Sequence, residues 1–295
     1  MIIVKLFGGL GNQMFQIAFG KALAIKNHVE LKADNSYLLN NEAKVNYTNR
    51  SFEISVFDFK VSFASQKEIE SFSTSKIGKI WNLSTLYLPF KSKSFFLKEP
   101  FHHYFRRALK SPSNCYVDGY WQSELYFKVY RPEILKMFTF NENISDLSRE
   151  IATEIQSFNS VSLHIRRGDY VTNALNNQIH GTCDTDYYVK AMSLIESKIE
   201  DVVFYVFSDD QEWFEANIKT KSNYKLITHN TGDKSFEDMY LMSLCKHNII
   251  ANSSFSWWGA WLNQNENKIV VAPHRWMNNS PKNTKDVVPK NWIKI

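Results

Sequence analysis

The chain has 295 residues, of which 44% are apolar and 15% aromatic, and this composition excludes a disordered or low-complexity protein. At roughly 150 residues per domain, the length predicts about two domains. Thirty-five lysine and arginine residues against 30 acidic residues leave a formal charge of +5. That excess suits an anionic ligand or a membrane surface and is too small for a dedicated nucleic-acid-binding protein.

The chain opens with a predicted strand, a glycine turn, a helix and a second strand. Residues 2–6 are β-rich, glycines interrupt the run at 8, 9 and 11, and apolar residues then recur at helical spacing before a strand at 29–33. This βαβ pattern predicts a parallel sheet. The turn matches neither a P-loop nor the full dinucleotide-binding pattern, yet its backbone amides and Asn12 can face an anion. The alternative is a turn that serves geometry only.

The excess positive charge is local. Residues 76–110 carry eight lysine or arginine residues and one glutamate among many aromatic residues, so this segment holds +7 and the remaining chain −2. Such a mixture is typical of a segment that meets anionic lipid or a sugar surface. A solvated basic face over core aromatics explains it equally well.

Cysteine usage and hydropathy predict a soluble protein of the cytoplasm, or one peripheral at the inner membrane face. Cys115, Cys183 and Cys245 are far apart and have no zinc-ligand spacing, which favours a reducing compartment. We find no run of the roughly 18 apolar residues that a membrane span needs, and Lys5 with the glycine cluster argues against a signal peptide.

The last 140 residues predict a second α/β domain. A polar link at 141–160 precedes them, and we place the domain boundary at 155, giving domains 1–155 and 156–295. Predicted strands lie at 161–165, 202–207, 224–228, 248–251 and 269–272, and predicted helices at 187–197, 236–245 and 257–262.

Ligands of an open parallel sheet bind beyond the carboxyl ends of its strands. The residues there read HIRRGD, FSDD, ITHNTGD, ANSSFS and APHRW. Arginines and backbone amides suit phosphate, and carboxylates suit sugar hydroxyls or a base edge. The second domain is therefore predicted to bind a nucleotide or a nucleotide-sugar.

Arg166 and Arg167 lie at the end of the first of these strands, where paired guanidiniums suit a pyrophosphate. The alternative is a structural ion pair between an arginine and Asp169. At the end of the next strand, Ser208 precedes Asp209 and Asp210, whose carboxylates can accept hydrogen bonds from guanine or from ribose hydroxyls. The alternative is that Ser208 or Asp209 caps the helix that follows, and both roles can hold, one per acid.

Two further polar clusters precede predicted helices. Asn252, Ser253, Ser254 and Ser256 lie at a helix start where a phosphate is favoured, and the adjacent tryptophans are predicted to pack that helix on the sheet. The D-x-D sequence at 184–186 is predicted to cap a helix and not to bind metal.

Five segments together resemble the bacterial alpha-1,2-fucosyltransferases. They are GGLGNQMFQ, VDGYWQSELYF, HIRRGDY, FSDD and ANSSFSWWGAWL, in this order along the whole chain. The resemblance implies a GT-B-like fold, α/β with two Rossmann-type domains facing across a cleft. It also implies transfer of L-fucose from GDP-fucose to the 2-hydroxyl of a terminal galactose, with inversion and no required metal or other cofactor.

The same resemblance implies residue roles. His164, Arg166 and Arg167 match the motif that holds the phosphates and base of GDP, with Arg166 stabilising the leaving pyrophosphate. The remaining donor-binding positions are Asn12, Gln13, Ser208, Asp209, Asp210, Asn252, Ser253, Ser254 and Ser256.

Asp169 is the predicted general base, with Glu124, Asp118 and His180 as rivals. The predicted acceptor is a galactose-terminated oligosaccharide or lipid-linked glycan of surface polysaccharide or O-antigen synthesis. Another GDP-sugar or linkage, and a basic lipid- or nucleic-acid-binding module, remain as alternatives.

Overall fold

The computed structural model describes residues 1–39, 50–73, 95–100, 102–168, 171, 177–178, 181–278 and 284–295. The chain forms two compact units. The N-terminal unit comprises Met1–Thr139 with Lys282–Val287, and the C-terminal unit comprises Phe140–Pro281 with Val288–Ile295. The chain first passes from one unit to the other between Thr139 and Phe140, earlier than residue 155. The helix at Asp146–Ser157 packs in the C-terminal unit.

The N-terminal unit contains a parallel sheet with helices on its faces. Its helices and strands are β1 (Ile2–Lys5), α1 (Leu10–Asn27), β2 (Leu31–Asp34), α2 (Ser36–Leu39), β3 (Ser62–Phe63), α3 (Gln66–Ser73), β4 (Phe95–Lys98), β5 (Cys115–Asp118) and α4 (Arg131–Met137). Short 3-10 turns lie at Ile54–Val56, Arg106–Lys110, Glu124–Tyr126 and Lys128–Tyr130. The strand order is β3-β2-β1-β5-β4, and every pairing is parallel.

Strand β1 lies at the centre of this sheet because its apolar residues are covered on both faces. Helix α1 packs against it closely: a Cβ atom at Gly20 would lie 2.3 Å from Val4 Cγ1, so only glycine allows this approach. On the other face, Ile3 and Tyr116 pack with Phe72 of α3. The predicted βαβ opening is confirmed.

The C-terminal unit is a second parallel α/β layer structure. Its helices and strands are α5 (Asp146–Ser157), β6 (Asn159–Ile165), α6 (Thr185–Glu196), β7 (Val202–Ser208), α7 (Gln211–Asn217), β8 (Asn223–Ile227), α8 (Phe236–Leu244), β9 (His247–Ile249), α9 (Ser254–Leu262), β10 (Val270–Ala272) and β11 (Ile293–Lys294). The strand order is β11-β10-β9-β6-β7-β8.

Both faces of this sheet are buried, as expected for parallel strands with apolar runs. Helix α6 covers one face, where Leu163 and Val206 pack with Tyr188. Helices α5 and α8 cover the other, where Phe207 packs with Ile155. The predicted α/β class with two parallel-sheet domains of Rossmann type is confirmed.

Helix α9 is held by its tryptophans, as predicted. Trp257, Trp258 and Trp261 are at most 2% exposed, and Trp292 packs on Trp257 with ring centroids 5.5 Å apart. These large side chains fix the start of α9 relative to the sheet. The polar residues just before the helix are therefore held in place as well.

Each sheet has a switch point, where consecutive strands continue on the other side of the first strand. In the C-terminal unit it lies between β6 and β9, and in the N-terminal unit between β1 and β5. Loops leaving the carboxyl ends of such a strand pair diverge and open a crevice in which ligands bind.

The cysteines, the hydropathy of the helices and the basic segment bear on the predicted cell environment. Cys115, Cys183 and Cys245 are all buried and free. In the described part of the chain, no helix is long and apolar enough to cross a bilayer. Most of the basic segment 76–110 lies outside the described residues; Lys98, Arg106 and Lys110 within it are exposed.

Candidate functional site

The predicted arginine and aspartate residues come together at the carboxyl ends of β6 and β7. These strands pair in parallel with Ile165 opposite Ser208, so the residues that follow each strand are neighbours. Asp209 Oδ2 lies 2.5 Å from Arg166 Nη1, and Asp209 Oδ1 accepts a 2.8 Å hydrogen bond from the backbone N–H of Arg167. A single carboxylate therefore fixes the loop after β6.

Gly168 is required by this arrangement. A Cβ atom there would lie 2.7 Å from Asp209 Oδ2 and displace the carboxylate. The glycine of HIRRGD thus serves close approach to Asp209. Asp169, which the sequence predicted as the general base or as a structural partner of an arginine, lies outside the described residues, as does His180.

Arg167 is fixed by a second carboxylate and a ring. Its Nε atom lies 3.0 Å from Asp210 Oδ2, and its guanidinium lies 4.3 Å from the centre of the Trp213 ring. Asp210 also accepts from Trp213 N and so caps α7, while Ser208 Oγ accepts from Asp210 N. The helix cap is therefore Asp210 and not Ser208 or Asp209, the residues that the alternative named, and Asp210 holds Arg167 at the same time.

The arginine pair keeps the capacity to bind an anion. Their side chains are 25% and 18% exposed, and each guanidinium has five N–H donors in a planar fork. Two carboxylates balance two guanidiniums, which lowers the cost of holding like charges side by side. The two guanidinium planes are therefore already oriented by the protein.

His164 lies two residues before Arg166 on β6 and is buried. Burial lowers its pKa to about 4; Asp209 opposes this shift and Arg166 adds to it. The imidazole is therefore neutral at physiological pH. Among the described residues its Nδ1 atom has no hydrogen-bond partner, so it can bond to a ligand without adding charge.

The polar cluster before α9 is largely occupied by the protein itself. Asn252 Nδ2 donates to the carbonyls of Gly181 and Trp276, Ser253 Oγ accepts from Phe255 N as the helix cap, and Ser256 Oγ donates to Ser253 O. These contacts fix the loop after β9. Ser254, partly exposed at the first position of α9, is the member of this cluster best placed to meet a phosphate.

The two predicted donor-binding residues of the N-terminal unit are both engaged within that unit. Asn12 Oδ1 accepts a 2.8 Å hydrogen bond from Gln122 Nε2. Gln13 is buried; its Nε2 donates to Gly8 O and Ser51 O, and its Oε1 accepts from Glu53 N. Three of the four hydrogen-bonding positions of the Gln13 amide thus hold the glycine turn and the segment that packs on it, and the predicted contact of Gln13 with the donor stays a prediction.

Glu53, which lies 43 residues after Leu10 in the chain, also holds the glycine turn, and the sequence did not indicate this role. Its carboxylate accepts a 2.9 Å hydrogen bond from Leu10 N at the start of α1, where an external anion was expected. Burial raises the pKa of Glu53, and nearby Arg50 opposes the shift. No spacing in the sequence links Glu53 to Leu10, so only the fold reveals the contact.

Two rival bases lie in the described N-terminal unit. Asp118 ends β5 and forms an ion pair with Lys5 at 3.3 Å, and Glu124 begins a 3-10 turn. Both residues belong to the N-terminal unit, whereas Arg166 and Arg167 belong to the C-terminal unit. The identity of the base therefore stays a prediction.

Asp184 and Asp186 behave as predicted from the helix pattern. Asp184 Oδ1 accepts a 2.8 Å hydrogen bond from Tyr187 N and caps α6, and Asp186 pairs with Lys190 one turn along the helix. Within the described residues no group of three or more His, Cys, Asp or Glu side chains is arranged to hold a metal ion.

Comparison with known proteins places these motifs in one family. Residues 1–295 match the family described as glycosyl transferase family 11. The chain belongs to this family.

Two full-length relatives of this family 11 chain come from Escherichia coli. One is named alpha-1,2-colitosyltransferase and is 35% identical, over 100% of this chain and 99% of the relative. The other, O-antigen biosynthesis glycosyltransferase WbnK, is also 35% identical, over 98% of this chain and 99% of the relative. Mouse galactoside 2-alpha-L-fucosyltransferase Sec1 is 30% identical over 49% of this chain and 41% of its own length.

Proposed function

We propose that this chain transfers L-fucose from GDP-fucose to the 2-hydroxyl of a terminal galactose, forming an alpha-1,2 linkage with inversion. The observation that carries the proposal is the pair Arg166 and Arg167, fixed by Asp209 and Asp210 at the carboxyl ends of β6 and β7. Membership of family 11 supports glycosyl transfer, and the names of the relatives support the 1,2 linkage.

In this reaction the acceptor oxygen attacks C1 of fucose from the face opposite the diphosphate. The bond between C1 and the β-phosphate oxygen breaks, and its electron pair leaves with GDP. Arg166 stabilises the charge that develops on the phosphate, with the first-turn amides of α9 and Ser254 as further donors. The hydroxyl proton passes to a base, for which we nominate Asp169.

Neutral His164 and the two aspartates position the rest of the donor. An uncharged imidazole can donate to or accept from a nucleoside without attracting a counterion. Asp209 and Asp210 are oriented by the arginines, so their carboxylates hold the loops to which guanine or ribose would bind. We propose this set as the nucleotide-binding part of the site.

The charge of the leaving GDP is compensated by arginine, and we propose that no divalent cation is required. Activity should therefore persist when a chelator removes divalent ions. The measurement is the initial rate of fucosyl transfer in millimolar EDTA against the rate with added Mg²⁺ or Mn²⁺. A rate that collapses in EDTA and returns with one cation would contradict this part of the proposal.

Transfer of colitose is the second candidate, because a full-length relative carries that name. Colitose is fucose without its 3-hydroxyl, so both donors share the same GDP and the same reacting carbon. A donor panel of GDP-fucose, GDP-colitose, GDP-mannose and UDP-galactose over a set of galactosides separates the candidates. Product linkage read by NMR tests the alpha-1,2 assignment, and a chain inactive with every GDP-sugar would refute both.

We further propose that the acceptor is a glycan of O-antigen or other surface polysaccharide synthesis, presented on a lipid. The name of one relative supports the pathway class, and the basic segment 76–110 supports contact with an anionic surface. Replacing the exposed Lys98, Arg106 and Lys110 by glutamine should weaken sedimentation with anionic vesicles. Unchanged sedimentation would return these residues to a solvated basic face.

A further inference from the structure

Arg167 is held on one edge and on one face by two residues of a single helical turn. Its Nε atom lies 3.0 Å from Asp210 Oδ2, and its guanidinium lies 4.3 Å from the centre of the Trp213 ring. Asp210 and Trp213 are themselves joined, because Asp210 Oδ1 accepts a 3.1 Å hydrogen bond from Trp213 N at the start of α7. The helix cap therefore sets the carboxylate and the indole at a fixed spacing around the guanidinium.

These contacts leave the terminal nitrogens of Arg167 available. Within the part of the chain that the structure describes, Nε and the backbone N–H of Arg167 donate to Asp210 and Asp209, whereas Nη1 and Nη2 donate to no protein acceptor. The two terminal nitrogens carry four of the five N–H donors of a guanidinium, in a planar fork that suits two phosphate oxygens at once. The side chain is 18% exposed, so a ligand can reach this fork.

The indole of Trp213 holds the guanidinium without cancelling its charge. Asp209 and Asp210 already place two carboxylates beside the two arginines, and a third would lower the affinity of the site for an anion. A ring face attracts a cation through its quadrupole and carries no net charge. Trp213 thus restricts the orientation of Arg167 and leaves the positive charge to a ligand.

Trp213 is in turn placed by the core of the C-terminal unit. Its ring packs on that of Tyr188, with centroids 6.1 Å apart at an interplanar angle of 66°, and Tyr188 is fully buried. Trp213 itself is half-buried and packs against the apolar cluster between the sheet and α6, to which Tyr188 belongs. The indole therefore joins Arg167 to the core, and the long arginine side chain loses rotamer freedom before any ligand arrives.

We infer that Trp213 is a positioning residue for donor binding, which holds Arg167 so that its two terminal nitrogens bind the diphosphate of the nucleotide-sugar, an inference that rests on the proposed function. Arg166 is fixed by a different contact, its ion pair with Asp209, and keeps the role proposed for it in the chemical step. Loss of the Trp213 ring should therefore weaken donor binding and have little effect on turnover once the donor is bound.

Trp213→Leu tests this role, since it removes the ring face and keeps an apolar side chain on α7. We expect the Kd for GDP, measured by calorimetry, and the KM for GDP-fucose to rise about tenfold, which corresponds to about 1.4 kcal/mol. The kcat should stay within about threefold of the wild-type value. Trp213→Phe should recover part of the loss, because it keeps a ring face that attracts cations less strongly than an indole does.

The choice of ligand separates the diphosphate from the base. Affinity for inorganic pyrophosphate, measured by calorimetry, should fall in Trp213→Leu by the same factor as affinity for GDP, because the guanidinium binds phosphate oxygens. Affinity for guanosine, measured by ligand-observed NMR, should stay at the wild-type value. A general loosening of the site would weaken both ligands.

A double-mutant cycle shows whether Trp213 acts through Arg167. In an Arg167→Ala background, Trp213→Leu should have no further effect on the Kd for GDP, because the side chain that it positions is gone. Tyr224→Leu is the matched control. This 45% exposed ring of β8 packs on Phe214, the residue of α7 next to Trp213, with centroids 5.2 Å apart, and its loss should leave GDP and pyrophosphate affinity unchanged.

A folded Trp213→Leu variant of unchanged GDP affinity would overturn the role of Trp213, and so would additive losses in the cycle or equal losses for pyrophosphate and guanosine. If Trp213→Leu does not fold, the same cycle with Trp213→Phe decides. Wild-type protein that binds GDP but transfers no fucose would instead refute the proposed function, and the cycle would still decide whether Trp213 positions Arg167.

Discussion

At the scale of single residues, the proposed chemistry of the C-terminal unit depends on the contacts between Asp209 and the two arginines. Asp209 binds the Arg166 side chain and the Arg167 backbone at once, so the guanidinium is oriented before any ligand arrives. Preorganised donors are worth far more than flexible ones, since no reorganisation is needed as charge develops.

Replacing Arg166 by alanine should therefore abolish most turnover without unfolding the protein. We expect kcat to fall by about 10²- to 10³-fold, the usual loss of one donor to a developing oxyanion. Arg166→Lys should recover only part of the rate, because an ammonium cannot reproduce the planar fork. Lys190→Ala, which breaks an exposed ion pair on α6, is the control and should leave kcat unchanged. A normal kcat in Arg166→Ala would remove the assignment.

His164 should make the C-terminal unit sensitive to acid. Burial lowers its folded-state pKa to about 4, whereas the unfolded chain binds the proton near pH 6.5. Stability is complete above about pH 6.5 and falls as the pH drops toward 4, because the unfolded state then binds more protons. The shift corresponds to about 3 kcal/mol over that window.

Urea unfolding followed by tryptophan fluorescence between pH 7 and pH 4.5 measures this loss. We expect His164→Gln to show a shallower decline with acid than the wild type, and His274→Gln, at an exposed position, to follow the wild type. Identical pH dependence in His164→Gln would mean that other groups cause the acid sensitivity.

At the scale of elements, the start of α1 depends on side chains and not on the glycines alone. Gln13 joins the glycine turn to the segment before the 3-10 turn at Ile54–Val56, and Glu53 binds the first amide of the helix. The turn is thus one hydrogen-bonded assembly, built from residues about forty positions apart in the chain.

Gln13→Ala should destabilise the N-terminal unit strongly. It leaves two carbonyls and one amide buried without partners, at a cost of about 2–4 kcal/mol. Gln66→Ala removes an exposed bond to Glu70 on α3 and should cost almost nothing. Hydrogen exchange of the α1 amides resolves the difference. Equal stability of the two variants would show that the buried network contributes little.

The elements that the sequence predicted are those with strong periodicity. Strands β6 and β7 have seven buried or half-buried residues each, and their apolar runs and polar ends indicated both the sheet and the place of Arg166. The short β3, β4 and β5 carry too few residues to show a period, so the strand order of the N-terminal unit could not be predicted.

The sequence indicated which residues form the site, but it did not indicate which of them pair with each other. The sequence indicated two arginines and two aspartates, but which carboxylate binds which guanidinium depends on the β6–β7 register. Glu53 and the structural role of Gln13 were missed for the same reason. Their partners lie on other elements, and a linear pattern carries no information on such contacts.

At the scale of the whole molecule, the chain crosses between its units more than once. Residues Lys282–Val287 belong to the N-terminal unit, although the chain on both sides of them belongs to the C-terminal unit. Within the N-terminal unit Asp286 accepts from Tyr104 N through its carboxylate and from Ser123 Oγ through its backbone. This late segment is therefore part of the N-terminal fold.

Asp286→Ala should loosen the loop that contains Tyr104. The unpaired backbone amide is expected to cost about 1–2 kcal/mol, measured as faster hydrogen exchange at residues 103–106. Asp233→Ala, at an exposed aspartate of the C-terminal unit, should leave that exchange unchanged. Unaltered exchange in Asp286→Ala would show that the loop is held by other contacts.

The return of the chain to the N-terminal unit has a consequence for synthesis on the ribosome. A domain made of one continuous segment can finish folding while later residues are still being translated. Here the N-terminal unit awaits residues 282–287 and the C-terminal unit awaits β11 at Ile293–Lys294. The five strands of the N-terminal sheet are all made once Asp118 is translated, so this sheet can pair long before residues 282–287 add their contacts, whereas the sheet of the C-terminal unit lacks its edge strand until Ile293–Lys294 are made.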